Sequence, residues 1–369
     1  MATKKERSVC IVGPLPEPIG GVSSHIARLA AFLVAHKMRC SIIDAYPSGK
    51  KVAVRGVEHH VTDSLGSPLG IPRFLYALSR MRCDVVHFHY SRISGWFLLV
   101  LLMLKQERAF VLTLHHGDQA GVFENARWPT RFLAARALRR MDIIVTLSEE
   151  QAAFYRTLGV APGRLSRWSV ALPLNISPDA SLLPESLQEL RAFEDGGDET
   201  LLMTSGYPTE SYRYEYCLEL LDSLSSTSSC RLIVSLYGKA SNAGYADALR
   251  RRLAEHPRVI LVDPLPAAAF LALLAKASLY LRPSTIDSYG LVITDAIDVG
   301  TPCLASDICD RDPRCDTFPV ANKQSFMSQA LEFVAYGRRE RSCTAGGEFD
   351  SSASEEIVRC YQRHPATSL

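Results

Sequence analysis

The chain has 369 residues, 47% apolar and 22% charged, which is enough for two α/β domains with proper cores and outside the range of disordered or fibrous chains. Its net charge of +2 excludes the strongly basic class that binds nucleic acid. That balance covers an asymmetry: residues 1–190 hold 23 Lys and Arg against 15 Asp and Glu, the remainder 18 against 24. A basic first half fits an anionic acceptor or membrane face.

The opening Met1–Arg7 is charged and runs straight into an apolar strand, Val9–Val12, so no signal peptide is expected and the protein reads as cytoplasmic. A turn-rich stretch with Gly20 and Gly21 follows, then a helix over Ser23–His36 and a strand over Arg39–Asp44. Ser94–Leu104 is apolar but has roughly half the length of a membrane span. Strands over Asp84–His89 and Ala109–Leu114 end in histidines, and another covers Asp142–Leu147. Between them, Arg127–Arg140 is basic and amphipathic with aromatics at one end, a pattern suited to an anionic membrane surface or to domain packing.

Leu172–Asp198 is rich in turn residues and acids and reads as a linker with one short helix. A second alternating run then starts at Thr200, with strands over Arg231–Tyr237, Val259–Val262, Ser278–Arg282 and Pro302–Ser306. Helices are expected over Tyr245–Glu255 and Ala267–Ala275. Short β runs alternating with helices indicate two parallel sheets, whose strand ends gather the polar clusters at one cleft. The domains are 1–180 and 198–345, with a helix and tail over 346–369. The ten cysteines show no zinc-type spacing, and most lie in apolar runs as reduced, buried small residues.

The densest signal is Pro283-Ser284-Thr285-Ile286-Asp287-Ser288-Tyr289-Gly290-Leu291-Val292-Ile293-Thr294-Asp295-Ala296. Two acids eight positions apart flank a helix N-terminus. The amides of Tyr289, Gly290 and Leu291 between them suit an anion, because a first helical turn has unpaired donors and the positive dipole end. Carboxylates for sugar hydroxyls and amides for phosphate together fit a nucleotide-sugar.

This block resembles the donor-site signature of the retaining GT-B glycosyltransferases of family 4, with Asp in place of both usual Glu residues and Tyr289 for Phe. The resemblance implies an α/β GT-B fold: two Rossmann-like domains facing across a cleft, and a C-terminal helix crossing back to the N-terminal domain. It implies that Asp295 takes the ribose hydroxyls, that Asp287 approaches the donor sugar, and that Gly20 and Gly21 face the donor phosphate. His115 would sit at the sugar's reacting end, with His116 as an alternative; His87 and His89 read as structural. Near Gly206 the family has an Arg and then a Lys. Here Tyr207 takes the Arg position and Arg213 the Lys position, with Lys239 a candidate replacement cation.

The activity so implied is transfer of a sugar from a nucleoside-diphosphate donor to a hydroxyl of a glycan or lipid-linked glycan, in bacterial surface polysaccharide synthesis. The partners are donor, acceptor and, peripherally, an anionic membrane. No metal site and no cofactor are expected. The rival readings are a GT-B-fold sugar-nucleotide epimerase and a non-catalytic partner subunit, the latter suggested by the Asp-for-Glu changes and the missing Arg.

Overall fold

The computed structural model describes residues 7–16, 20–45, 53–62, 69–91, 108–168, 172–191, 199–224, 229–238, 240, 242–336 and 351–363. It divides into two compact units: Met1–Pro173 together with Glu348–Leu369, and Leu174–Gly347.

In the first unit, β1 (Ser8–Val12) is buried along its whole length, as an apolar run covered on both sheet faces must be. Helix α1 (Gly21–Ala35) follows, with Ile26, Leu29, Ala30 and Leu33 on its buried stripe. Then come β2 (Arg39–Asp44), β3 (Glu58–Val61), α2 (Gly70–Arg80), β4 (Val85–Tyr90) and β5 (Ala109–Leu114). Helices α3 (Gln119–Glu124) and α4 (Trp128–Leu138), strand β6 (Ile143–Thr146), α5 (Glu149–Thr157) and β7 (Leu165–Arg167) complete the run. Ser148 caps α5 by accepting from the Gln151 amide, and Glu149 and Glu150 favour its positive end. All pairings in this unit are parallel, in the order β3-β2-β1-β4-β5-β6-β7.

The second unit has β8 (Glu199–Gly206), α6 (Tyr214–Ser223), β9 (Ser229–Leu236), α7 (Ala243–Glu255), β10 (Val259–Val262) and α8 (Ala267–Lys276). It continues with β11 (Leu279–Arg282), α9 (Leu291–Asp298), β12 (Cys303–Ser306), β13 (Asp316–Phe318) and α10 (Lys323–Tyr336). Its sheet is again parallel, ordered β10-β9-β8-β11-β12-β13. Much of the expected linker is built into this unit, because Leu183, Leu187 and Leu190 join the core formed by β8, α8 and α9. The short helix expected there is a 3-10 helix over Glu185–Arg191.

Helix α11 (Ser351–Arg363) belongs to the first unit. Tyr361 fixes it there. Its carbonyl accepts from Arg7, its hydroxyl meets His87 Nδ1 at 2.5 Å, and its ring packs edge-on against Trp168. The return of this helix matches the GT-B expectation. The described cysteines are free, and most of them are buried, including Cys10, Cys40, Cys230 and Cys303.

Strand order reverses direction between β1 and β4 in the first sheet and between β8 and β11 in the second. Such switch points leave a crevice at the strand carboxyl ends, where open α/β sheets bind ligands. Two polar clusters of the described residues lie at these two places.

Candidate functional site

At the switch point of the second unit, β11 ends in Arg282 and the chain turns through Pro283–Gly290 into α9. Arg282 is nearly fully buried, and its Nε donates to Asp287 Oδ2 at 3.0 Å. Arg311, from beyond β12, donates to the same oxygen from Nη1 at 2.9 Å. Ser284 adds a long contact from Oγ at 3.4 Å, and the Ser288 amide donates to Oδ1. Burial by itself would raise the Asp287 carboxyl, but Arg282 and then Arg311 outweigh it and hold the group well below the usual carboxylate range. Burial likewise opposes the charge on Arg282, and Asp287 more than restores it.

Both guanidiniums also bond to backbone. Arg282 Nη1 reaches the Ser205 carbonyl at the end of β8. Arg311 reaches the carbonyls of Ser306 and Tyr289. The triad therefore ties β8, β11, β12 and the loop before α9 into one frame and carries one net positive charge.

Gly290 opens α9 with φ +79°, and no side chain caps the helix. A Cβ there would stand 2.7 Å from Arg311 Nη1 and 3.2 Å from Asp287 Oδ2. Glycine is required twice over, by its left-handed backbone and by the close approach of the ion pair. Asp295 is buried on the second turn of the same helix.

Tyrosines fill the space beside the triad. The Arg282 guanidinium lies 4.4 Å over the Tyr212 ring. Tyr212 in turn lies against Gly206, where a Cβ would come within 1.9 Å of its ring, and Tyr207 covers Gly238 in the same way. Arg213 is engaged elsewhere. It takes a left-handed backbone before α6, donates to the Val320 carbonyl and lies over Tyr216. The structure thus does not bring Arg213 into the Asp287 cluster. Arg282 and Arg311, which sequence reading passed over, are the cations it does bring there. Lys239 lies outside the described residues.

At the switch point of the first unit, Gly20 has extended backbone and Gly21 begins α1. Ser23 Oγ donates to the Gly20 carbonyl. A Cβ on Gly21 would meet nothing within 4 Å, so nothing in the fold itself demands glycine there. His115 follows β5; its backbone amide donates to the Tyr90 carbonyl, and its Nε2 shares an N–H···N bond with His89 Nδ1 at 3.0 Å. His25 on α1 packs against both rings. Burial first, then the neighbouring imidazoles, holds His87, His89 and His115 well below the usual histidine range, so all three are neutral at pH 7. His87 is fully used, by Tyr361 and by Thr113 Oγ1 at 2.8 Å. His116 turns to the Asp118 backbone instead.

Comparison with known proteins follows this division. Residues 19–172 match the family model described as Glycosyltransferase Family 4. No curated protein matches the chain. Among solved structures, sucrose-phosphate synthase from Thermosynechococcus elongatus is similar over 97% of this chain and 98% of its own, with TM-score 0.73 and 14% identity. HepE of Anabaena, solved with UDP and glucose, covers 98% of this chain and 96% of its own, with TM-score 0.66 and 13% identity. The catalytic domain of starch synthase IV from Arabidopsis thaliana, bound to ADP and acarbose, covers 97% and 99%, with TM-score 0.71 and 12% identity. Residues 19–172 thus match the Glycosyltransferase Family 4 model, and the chain as a whole shares the two-domain GT-B fold of these structures.

Proposed function

We propose that this protein is a retaining glycosyltransferase moving a hexosyl group from a nucleoside-diphosphate-sugar to a hydroxyl of a glycan or lipid-linked glycan, in surface polysaccharide synthesis. The observation that carries the donor site is the buried Arg282–Asp287–Arg311 triad beneath the uncapped start of α9. A net positive buried centre and a helix N-terminus together favour a diphosphate, without a cation at the donor. Two of the structural relatives are recorded with UDP or ADP, which agrees with a nucleoside diphosphate.

In this reading Asp295 takes the ribose, and the amides of Tyr289, Gly290 and Leu291 take the diphosphate. Asp287 acts through its arginines, positioning the Tyr289–Gly290 backbone. Gly20, Gly21 and His115 serve the sugar and acceptor from the first unit. Reaction proceeds by front-face displacement, with the departing diphosphate accepting the acceptor proton while the site stabilises its growing charge. A neutral His115 binds sugar hydroxyls and does not act as an acid.

Membrane contact belongs to the same proposal. Trp128 and Phe132 are 74% and 60% exposed, one turn apart on α4, beside exposed Arg127 and Arg131. Vesicles of anionic phospholipid should float the wild-type protein and release Trp128→Ser/Phe132→Ser; equal flotation of the two removes this part.

The donor site is tested by thermal shift with UDP, GDP, ADP, CMP and dTDP. One nucleotide at about 100 times its Kd should stabilise the wild type by roughly 2.7 kcal/mol and leave Asp295→Ala unmoved. A second reading, a non-catalytic partner subunit, is favoured by the commitment of Asp287 to two arginines and of Arg213 to Val320. It requires that no nucleotide shifts the wild type.

A further inference from the structure

Three imidazoles converge at the switch point of the first unit, His25 from α1, His89 from β4 and His115 from the residue after β5. Their ring centroids stand 5.3, 5.2 and 5.3 Å apart, a nearly equilateral triangle. One ring nitrogen from each lies within 4.8 Å of the other two. A divalent ion bound by three imidazoles at about 2.0–2.1 Å with tetrahedral angles holds the ring centres roughly 5 Å apart and the nitrogens about 3.4 Å apart. The triangle therefore already has the required size. Rotation of the rings about χ2 brings the nitrogens inward with little movement of the centroids.

A second observation points the same way. His89 is fully buried, and its Nε2 meets no hydrogen-bond partner among the described residues. Buried polar atoms are nearly always satisfied, and the described groups leave this ring incomplete. The neighbouring His87, 3.9 Å from His89 between centroids, differs in spending both nitrogens on Thr113 and Tyr361. It buttresses the cluster in the way outer groups orient metal ligands.

We propose that His25, His89 and His115 form a three-histidine site for a borderline divalent transition-metal ion of the Zn²⁺ class, with its fourth position on the side of His115, the least buried of the three. Three neutral nitrogen ligands suit Zn²⁺, Co²⁺ or Ni²⁺ and disfavour Mg²⁺ or Ca²⁺. The site is invisible as a motif because its ligands come from three separate elements, His89 and His115 alone standing 26 positions apart. It uses none of the donor residues of the second unit; His115 alone is shared with the proposed function, and an ion bound there would meet the sugar hydroxyls in its place.

The test uses the untagged full chain, stripped with a chelator and dialysed. Calorimetric titration with Zn²⁺ should give one ion per chain. Co²⁺ should produce a visible absorption band that Zn²⁺ abolishes, and Mg²⁺ should give neither signal. Affinity for Zn²⁺ should fall at least tenfold in His25→Ala and His89→Ala, and be unchanged in His59→Ala/His60→Ala on β3. Absence of stoichiometric Zn²⁺ binding by the wild type overturns the proposal, as does undiminished binding by the trio variants. Because buried histidine variants can unfold, X-ray absorption on the Zn²⁺-loaded wild type supplies a test without substitution. Three imidazole scatterers are expected, and a shell containing sulfur overturns the assignment.

Discussion

At the β1–β4 boundary of the first unit the strand ends carry neutral imidazoles, whereas at the β8–β11 boundary of the second they carry two guanidiniums sharing one carboxylate. The topology is the same and the chemistry is opposite. Neutral rings offer lone pairs and wait for a cation or a hydroxyl. The arginine triad keeps one positive charge after its internal pairing and waits for an anion. A parallel sheet thus fixes where a ligand goes, and the side chains at the switch point decide which sign of charge it carries.

The largest expected effect separates the two clusters by stability. Asp287→Ala leaves two buried guanidiniums uncompensated and should cost about 3–5 kcal/mol in the second unit, read as an early urea transition. Replacing the whole triad, as Arg282→Met/Asp287→Leu/Arg311→Met, should restore most of that stability while abolishing the nucleotide shift. If the triple variant still binds nucleotide, the triad is only a structural tie and the contrast between the clusters fails.

Acid sharpens the same contrast. The folded Asp287 carboxyl lies below its unfolded value of about 3.9, so its stabilisation is complete above that pH and is lost as pH falls through the lower folded value. Between pH 5 and 2 the wild type should lose stability more steeply than Asp287→Asn. Parallel acid profiles would show that the pair contributes nothing.

Gly290→Ala comes next. It forces a side chain into a left-handed backbone and against Arg311, at a cost of about 1–3 kcal/mol. Nucleotide binding should weaken along with stability, since the same loop presents the amides. In the first unit, Tyr361→Phe leaves His87 Nδ1 buried without its hydroxyl partner and should cost about 1–3 kcal/mol without touching the nucleotide shift. The smallest effect is Ser148→Ala, the cap of α5 away from both clusters, at about 1 kcal/mol. A melting scan in which Ser148→Ala costs more than either of the other two would show that the clusters are not the stiff points of their units.

The main strands were legible because they are buried on both faces. Arg39–Asp44 and Ala109–Leu114 fall where their apolar runs put them, and so does the half-buried edge strand Val259–Val262, whose apolar run is unbroken. The edge strands β3, β7 and β13 were passed over, being three or four residues long and largely exposed, so neither length nor alternation marks them. The motif around Asp287–Asp295 was legible as a loop and helix start. Its electrostatics were not, because Arg311 reaches Asp287 across 24 positions, a pairing that only the β11–β12 neighbourhood creates. Arg282 carried one local signal, a charge ending an apolar strand five residues before Asp287. Arg213 fitted a sequence pattern, but its left-handed backbone sends it to Val320 and Tyr216. His115 and His89 were seen as strand ends, yet their meeting with His25 depends on β1 lying beside β4, which no spacing reveals.

Helix α11 has a consequence for the order in which the protein is made. The first unit is discontinuous, closed by a segment that leaves the ribosome only after the whole of Leu174–Gly347. Domains fold as units during synthesis, normally from the N-terminus onward. Here the second unit can complete while the first still lacks the Tyr361 hydroxyl against His87 and its ring against Trp168. The nascent first sheet is therefore the part that waits, and chaperones would be expected to attend it in the interval before residue 361 emerges.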